Sequence, residues 1–338
     1  MLREHRRREP APAVFRLVLP LPFPGLDRVN AFALTGEEPA LIDCGMHLPD
    51  EADHGWDDLV AALETCDLRP GDVKRLVITH PHIDHYGMAA RFVEESGCEL
   101  VMHAEADTDL AMYRDPEAIA ARVRSLFSDH GITDEAELAE LTAFEDWRRF
   151  LSGVVEATNP VADGDTVMAG DRTWQVVYTP GHAHGHICLW DPEDRLLVSG
   201  DHLLPTITPH IDFKRGETDN PLGDFLESLA KVEKLDPAMV LPGHGHPFEE
   251  GAERARIIQR HHDRRLGSIL QVIRRQPCSA EKITEEIFGG ELLNFQKRLA
   301  LGEALAHLAY LRKRGEIERI EEEGTFLYRK VSRRPQMS

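Results

Sequence analysis

Leu76-Val77-Ile78-Thr79-His80-Pro81-His82-Ile83-Asp84-His85 is the stretch that decides the fold. Its apolar start reads as a short buried strand that must end at the polar run, so the polar side chains converge at the strand's C-terminal mouth. Three imidazoles and a carboxylate within six residues are hard to explain as packing, because each would need a buried hydrogen-bond partner. Neutral imidazole and carboxylate are the ligand types accepted by zinc, iron and manganese.

Three later segments repeat the construction of a strand, a turn and ligand-type side chains. Thr179-Pro180-Gly181-His182-Ala183-His184-Gly185-His186 follows an expected strand over 173–178. Leu196-Leu197-Val198-Ser199-Gly200-Asp201-His202 is an apolar run that ends in a carboxylate. Val240-Leu241-Pro242-Gly243-His244-Gly245-His246 turns at Pro-Gly and presents a histidine. Strand ends suit such sites because the sheet holds the ligands rigid while loops admit substrate.

The order and spacing of these four stations resemble the metallo-β-lactamase-fold hydrolase superfamily over roughly residues 14–248, with His-x-His-x-Asp-His as the signature. The resemblance implies an α+β fold, an αββα sandwich of two mixed β-sheets flanked by helices. It implies two divalent metal ions, zinc first, with iron or manganese also fitting the ligands. His80, His82 and His182 correspond to ligands of the first ion, Asp84, His85 and His244 to ligands of the second, and Asp201 to the bridge between them. The first histidine of the Gly-His-x-x-Gly-His element maps to the ligand, which favours His182 over His184 and His186.

The implied chemistry follows from that ligand set. Two cations about 3.5–4 Å apart can hold and acidify a bridging water for attack on an electrophilic carbonyl or phosphorus. Asp84 takes the catalytic role, orienting the attacking hydroxide and passing its proton to the leaving group. No Gly-x-Ser-x-Gly elbow, phosphate-cradling loop or dinucleotide fingerprint offers another route. Asp43, at the end of the run Ala40-Leu41-Ile42, resembles the family acid that holds a ligand histidine in its tautomer, and equally reads as a turn cap. His184, His186, His202 and His246 read as supporting or surface residues. For Tyr86, His210 and Asp212, substrate-facing and merely structural readings both stand.

Composition bounds the rest. The chain has 338 residues, 42% hydrophobic and 29% charged, as expected of an ordinary globular protein with one large core and a smaller domain. Five scattered cysteines without a Cys-x-x-Cys pair fit a reducing, cytoplasmic setting. The arginines at 3 and 6–8 lead into no clean apolar stretch, so residues 1–12 read as a flexible tail rather than an export signal, and no run reaches membrane-spanning length. Residues 251–338 carry 18 Lys and Arg against 12 Asp and Glu, leaving 21 against 47 for the remainder of the chain. So acidic a catalytic region disfavours a polyanionic substrate such as nucleic acid.

The expected organisation is a catalytic domain over 13–249, with a helical insertion at about 104–155, and a C-terminal domain over 250–338. Three helices and a terminal hairpin give that last segment a winged-helix-like pattern. It resembles the small domain that follows the catalytic one in the lactamase-like and thioesterase branch of the superfamily. Its third helix is rich in Leu and Ala, with cations only at the ends, and three glutamates sit at the hairpin tip, so it reads as packing rather than groove-reading.

The resulting expectation is a dinuclear metal-dependent hydrolase of the glyoxalase II-like kind. It would cleave the thioester of a small acyl substrate carrying a CoA, acyl-carrier or glutathione group. Arginines from Arg254 to Arg265 are candidates to hold the phosphates of a CoA or phosphopantetheine arm. Lactone or other ester hydrolysis, and phosphodiester or single-strand RNA cleavage, use the same metals and remain open. A homo-oligomer is compatible with the sequence.

Overall fold

A computed structural model of the chain describes residues 8–23, 25–48, 54–143, 147–290 and 292–331. The expected tail as far as residue 7, positions 144–146 of the insertion and the last seven residues lie outside the described ones. Fifteen strands and ten helices are named below in chain order.

The first half comprises β1 (Val14–Phe23), β2 (Leu26–Leu34), β3 (Ala40–Ile42), α1 (His54–Glu64), β4 (Arg75–Val77), α2 (Ile83–Tyr86), α3 (Ala89–Ser96), β5 (Glu99–His103), α4 (Ala106–Arg114), α5 (Pro116–Asp129), α6 (Glu135–Leu141) and β6 (Asn159–Val161). The second comprises β7 (Thr166–Ala169), β8 (Arg172–Tyr178), β9 (Ile187–Asp191), β10 (Leu196–Gly200), α7 (Pro221–Leu235), β11 (Met239–Pro242), β12 (Phe248–Glu249), α8 (Gly251–Ile273), β13 (Cys278–Ser279), α9 (Ala280–Phe288), α10 (Asn294–Lys313), β14 (Ile317–Glu322) and β15 (Thr325–Lys330).

Strands β1 to β6 form one mixed sheet in sequence order, and β12-β11-β10-β9-β8-β7 form a second. Alternation along each strand sorts its side chains between two cores. Ala40, Ile42 and Val77 face the interior between the sheets, with Trp174, Val176, Leu189, Val198 and Leu241 of the second sheet. Leu41, Leu76 and Ile78 point the other way and pack with Leu59 and Leu63 of α1 and Phe92 of α3. The result is the αββα sandwich. Strand β6, read from Asn159-Pro160-Val161, has no sequence signal because Pro160 cannot donate to a ladder; it is tolerated at the sheet's edge.

The chain folds as two compact units. One takes the residues as far as Arg114, those from Trp147 to Pro209, and Glu227–Arg256. The other takes those from Asp115 to Ala143, His210–Leu226, and those from Ile257 on. Within the second unit α9 and α10 precede the β14–β15 hairpin, and β13 pairs antiparallel with β15. Helix α5 packs against β15, and α6 against α10, so the segment after Arg114 belongs with the C-terminal elements. His210 lies 3.8 Å from Glu303 of α10, and Asp212 lies 3.9 Å from the guanidinium of Arg298. Both residues thus face charged side chains of α10 within that unit.

Candidate metal centre

Strand ends gather the ligand-type side chains within the first unit. His80, His82, Asp84 and His85 follow β4; His182 follows β8, Asp201 follows β10 and His244 follows β11. Both sheets therefore contribute. Three overlapping groups have donor atoms within 4.8 Å of one another: His80, His82 and His182; His80, His85 and Asp201; Asp84, His85 and His244.

The spacing within these groups is close to what coordination requires. His80 Nε2 and His82 Nδ1 face each other at 3.0 Å. His244 Nε2 lies 3.2 Å from Asp84 and 3.4 Å from Asp201, and His85 Nε2 lies 3.4 Å from Asp201. Donors bound tetrahedrally at zinc distances of about 2.0–2.1 Å stand roughly 3.3–3.4 Å apart. His85 Nε2, His244 Nε2 and Asp201 Oδ1 are buried without a well-formed hydrogen bond among the described residues, which a native fold does not leave unexplained. The residues fit metal ions, and the overlapping His/Asp sets are the arrangement of a dinuclear metal site.

The far side of each ring is held by the protein. Asp43 accepts the Nδ1–H of His85 at 2.7 Å, the Thr79 backbone N–H at 2.8 Å and the Thr79 hydroxyl at 2.9 Å. The Thr79 hydroxyl oxygen in turn stands 3.1 Å from His80 Nδ1. One carboxylate thus orients two rings and leaves both Nε2 atoms turned inward. His244 donates its Nδ1–H to the Arg28 carbonyl at 2.8 Å. The orienting reading of Asp43 is the one its contacts match.

Electrostatics favour positive charge on the carboxylate-rich side of the site. Burial by itself would lower the pKa of His85, but Asp201, Asp84 and Asp43 prevail and raise it well above the usual imidazole range. Burial opposes charge on His244 too, yet Asp201 and Asp84 push it up to about 10. Burial and the neighbouring imidazoles of His85 and His82 drive His80 the other way, well below its ordinary value, so its ring stays neutral. In such a site cations displace protons from the carboxylate-rich side.

Several supporting residues carry no motif. Asn30 is buried inside β2 and donates to the carbonyls of Pro242 at 2.7 Å and Gly245 at 2.9 Å, gripping the turn that presents His244. A lone amide in the apolar run Val29 to Leu34 is the signal that could have revealed it. Asp109 accepts the backbone N–H groups of His184 and Gly185 at 3.0 and 2.7 Å, and Tyr113 donates to the Pro81 carbonyl at 2.9 Å. His186, fully buried, accepts the Asp201 backbone N–H at 3.2 Å and faces the Thr179 hydroxyl at 2.8 Å, a supporting role. Gly243 has no alternative: a methyl there would run into the Asp201 carboxylate and the His85 ring. Tyr86 is wholly buried and donates to the Val155 carbonyl at 2.7 Å, so it packs.

Three arginines of the basic helix are committed elsewhere. Arg254 donates to the carbonyls of Leu204 and Ile207, Arg256 pairs with Glu253 and Glu233, and Arg265 pairs with Glu303. Those three are not idle cations awaiting phosphate. No helix among the described residues is long and apolar enough to cross a membrane.

With this sandwich and this donor set, the chain belongs to the metallo-beta-lactamase superfamily, whose domain model matches residues 24–244. A model for the metallo-beta-lactamase-like C-terminal domain matches residues 266–331. The crystal structure of a metallo-beta-lactamase family protein from Thermus thermophilus superposes with a TM-score of 0.82 at 31% identity, covering 95% of this chain and 99% of the other. A probable metallo-hydrolase of Bacillus subtilis, YqjP, is 25% identical over 95% of this chain and 98% of its own. The human acyl-coenzyme A thioesterase MBLAC2 is 28% identical over 68% of this chain and 76% of its own length. The chain is accordingly a member of a metallo-hydrolase superfamily.

Proposed function

We propose that this protein is a metal-dependent thioesterase, hydrolysing an acyl thioester to a carboxylic acid and a free thiol. The observation that carries the hydrolase reading is the convergence of seven ligand-type side chains, with orphaned donor atoms at their centre. The similarity to an acyl-coenzyme A thioesterase favours a thioester over other carbonyl substrates.

In this reading His80, His82 and His182 would hold one ion and Asp84, His85 and His244 the other, with Asp201 available to both; zinc is the first candidate. Bound divalent ions supply Lewis acidity, polarising the carbonyl and making water acidic near neutral pH. Burial alone would favour a protonated Asp84, but His85 and His244 keep it ionised, so its carboxylate can accept a proton from the attacking water and return it to the departing sulfur. Oxygen bonds to the carbonyl carbon as the carbon–sulfur bond breaks. Asp43 and Thr79 keep the rings of His85 and His80 aimed during the exchange. The cysteines are not alternative nucleophiles, since all five are buried and burial pushes Cys188 up to about 12.

Catalytic domain and C-terminal domain boundaries near residue 250, with a winged-helix-like C-terminal part, belong to the same proposal. The test is thiol release from acyl-CoA and acyl-glutathione thioesters by metal-loaded protein, with Asp84→Ala as control. Release that disappears in the control is the expected result. No release by protein holding two metals per chain would overturn the thioesterase reading and direct attention to lactones and single-stranded RNA.

A further inference from the structure

The second unit has a cleft of about 700 Å³, within the roughly 300–1,000 Å³ of small-molecule sites. It is assembled from segments far apart in sequence: the end of α5, the stretch around Phe213–Asp219, α10 and the β14–β15 hairpin. Its apolar lining includes Leu126, Phe213, Leu305 and Ile317. Arg312, Lys313 and Arg319 line it as well and are all exposed.

Those three cations lie in the segment 251–338, where 18 Lys and Arg stand against 12 Asp and Glu. Among the described residues Arg312 and Lys313 have no ion-pair partner, and Arg319 lies over the Phe326 ring, 3.8 Å from its centroid, rather than against a carboxylate. A fourth lining cation, Arg215, is held by Asp129 at 2.7 Å. Two carboxylates share the lining: Glu318, paired with Arg329 at 2.8 Å, and Asp219. Surplus positive charge in a cleft with low-dielectric walls concentrates anions there.

His130 adds a directional group. Its Nδ1–H donates to the Leu126 carbonyl at 2.6 Å, which leaves Nε2 as an acceptor, and burial lowers its pKa to about 4, so the ring stays neutral. It packs near-parallel to Tyr328, with centroids 6.0 Å apart. An acceptor and an aromatic ring beside an apolar wall suit a nitrogenous base, and the unpaired cations suit phosphate.

We propose that this cleft is a second binding site, for a nucleoside phosphate, independent of the metal centre and of the thioesterase reading. The experiment is calorimetric titration of the full-length, metal-loaded protein with ADP, compared with adenosine, inorganic phosphate and a single-stranded hexaribonucleotide. It is repeated on the R312E/K313E double variant, on Arg319→Ala, and on Asp201→Ala to remove the metal centre from the readout. The expected result is one ADP per chain, bound more tightly than either adenosine or phosphate and unaffected by Asp201→Ala. R312E/K313E should weaken it by about tenfold or more, and Arg319→Ala by less. ADP binding that disappears in Asp201→Ala and survives the charge reversal would overturn the proposal. So would phosphate binding as tightly as ADP, or the hexanucleotide binding tighter than both.

Discussion

Each unit of this protein contains a buried histidine cluster, and only one is arranged for metal. At the strand ends, rings donate through Nδ1 to Asp43 and to the Arg28 carbonyl, so their Nε2 atoms meet around Asp84 and Asp201. In the second unit, His307 donates Nδ1–H to the Glu303 carbonyl at 2.7 Å, and its Nε2 accepts from His262 at 3.1 Å. The neighbouring Glu303 carboxylate is taken by Arg265. The second cluster pairs its rings with one another and leaves His262 Nε2 buried without a hydrogen bond among the described residues; the first turns several imidazole and carboxylate donors toward a common point. What distinguishes them is the direction in which the backbone and the carboxylates turn the rings, not the number of histidines.

The sharpest way to break this comparison is Asp201→Ala, which removes the carboxylate that stands 3.4 Å from both His85 and His244. It should abolish stoichiometric metal by elemental analysis and lower hydrolysis by about a thousandfold or more. Wild-type metal content in this variant would undo the ligand assignment. His85→Ala should lose one ion in preference to the other.

The second cluster responds to acid instead. Burial lowers His262 to about 3 and His307 to about 4, opposed by Glu303 and assisted by His261 and Arg265. The unfolded chain takes up these protons near pH 6.5 and the folded one only near 3–4, so stability is complete above about 6.5 and falls as pH drops below it. At pH 5 each imidazole should cost about 2 kcal/mol, measured by urea unfolding at pH 7 and 5. His262→Gln should remove about half of that dependence; an unchanged pH slope would count against the buried-neutral reading.

Asp43→Asn probes how the first cluster is held in place. Metal affinity should fall about 10–100-fold, read by competition with a chromophoric chelator, while the fold persists. Unchanged affinity would reduce Asp43 to a turn cap. The smallest effect is expected from Tyr86→Phe, about 1–2 kcal/mol of stability from the two hydrogen bonds lost with the Val155 backbone, with thiol release unchanged. A drop in turnover would restore its substrate-facing reading.

The sandwich and the donor positions were legible because both are local. A short apolar run ending in His or Asp announces a strand and its cargo within ten residues. The helices over 251–273, 280–288 and 294–313 follow from periodicity in the same way. The grips of Asn30 and Asp109 were not legible, since their partners lie 212 and 76 residues away at Pro242 and Gly185. The membership of residues 115–143 in the second unit is equally non-local: Lys297 binds both Glu137 and Glu281, and no window of sequence contains all three.

Because the donors hang from strand ends of both sheets, ions bound among them would rivet one sheet to the other. Only the folded chain offers that grip, so loading is a folding force. Free metal at a hundred times its dissociation constant should add about 2.7 kcal/mol per site, and chelation should lower the melting temperature accordingly. A newly made chain short of the ion would then lack mechanical closure as well as activity.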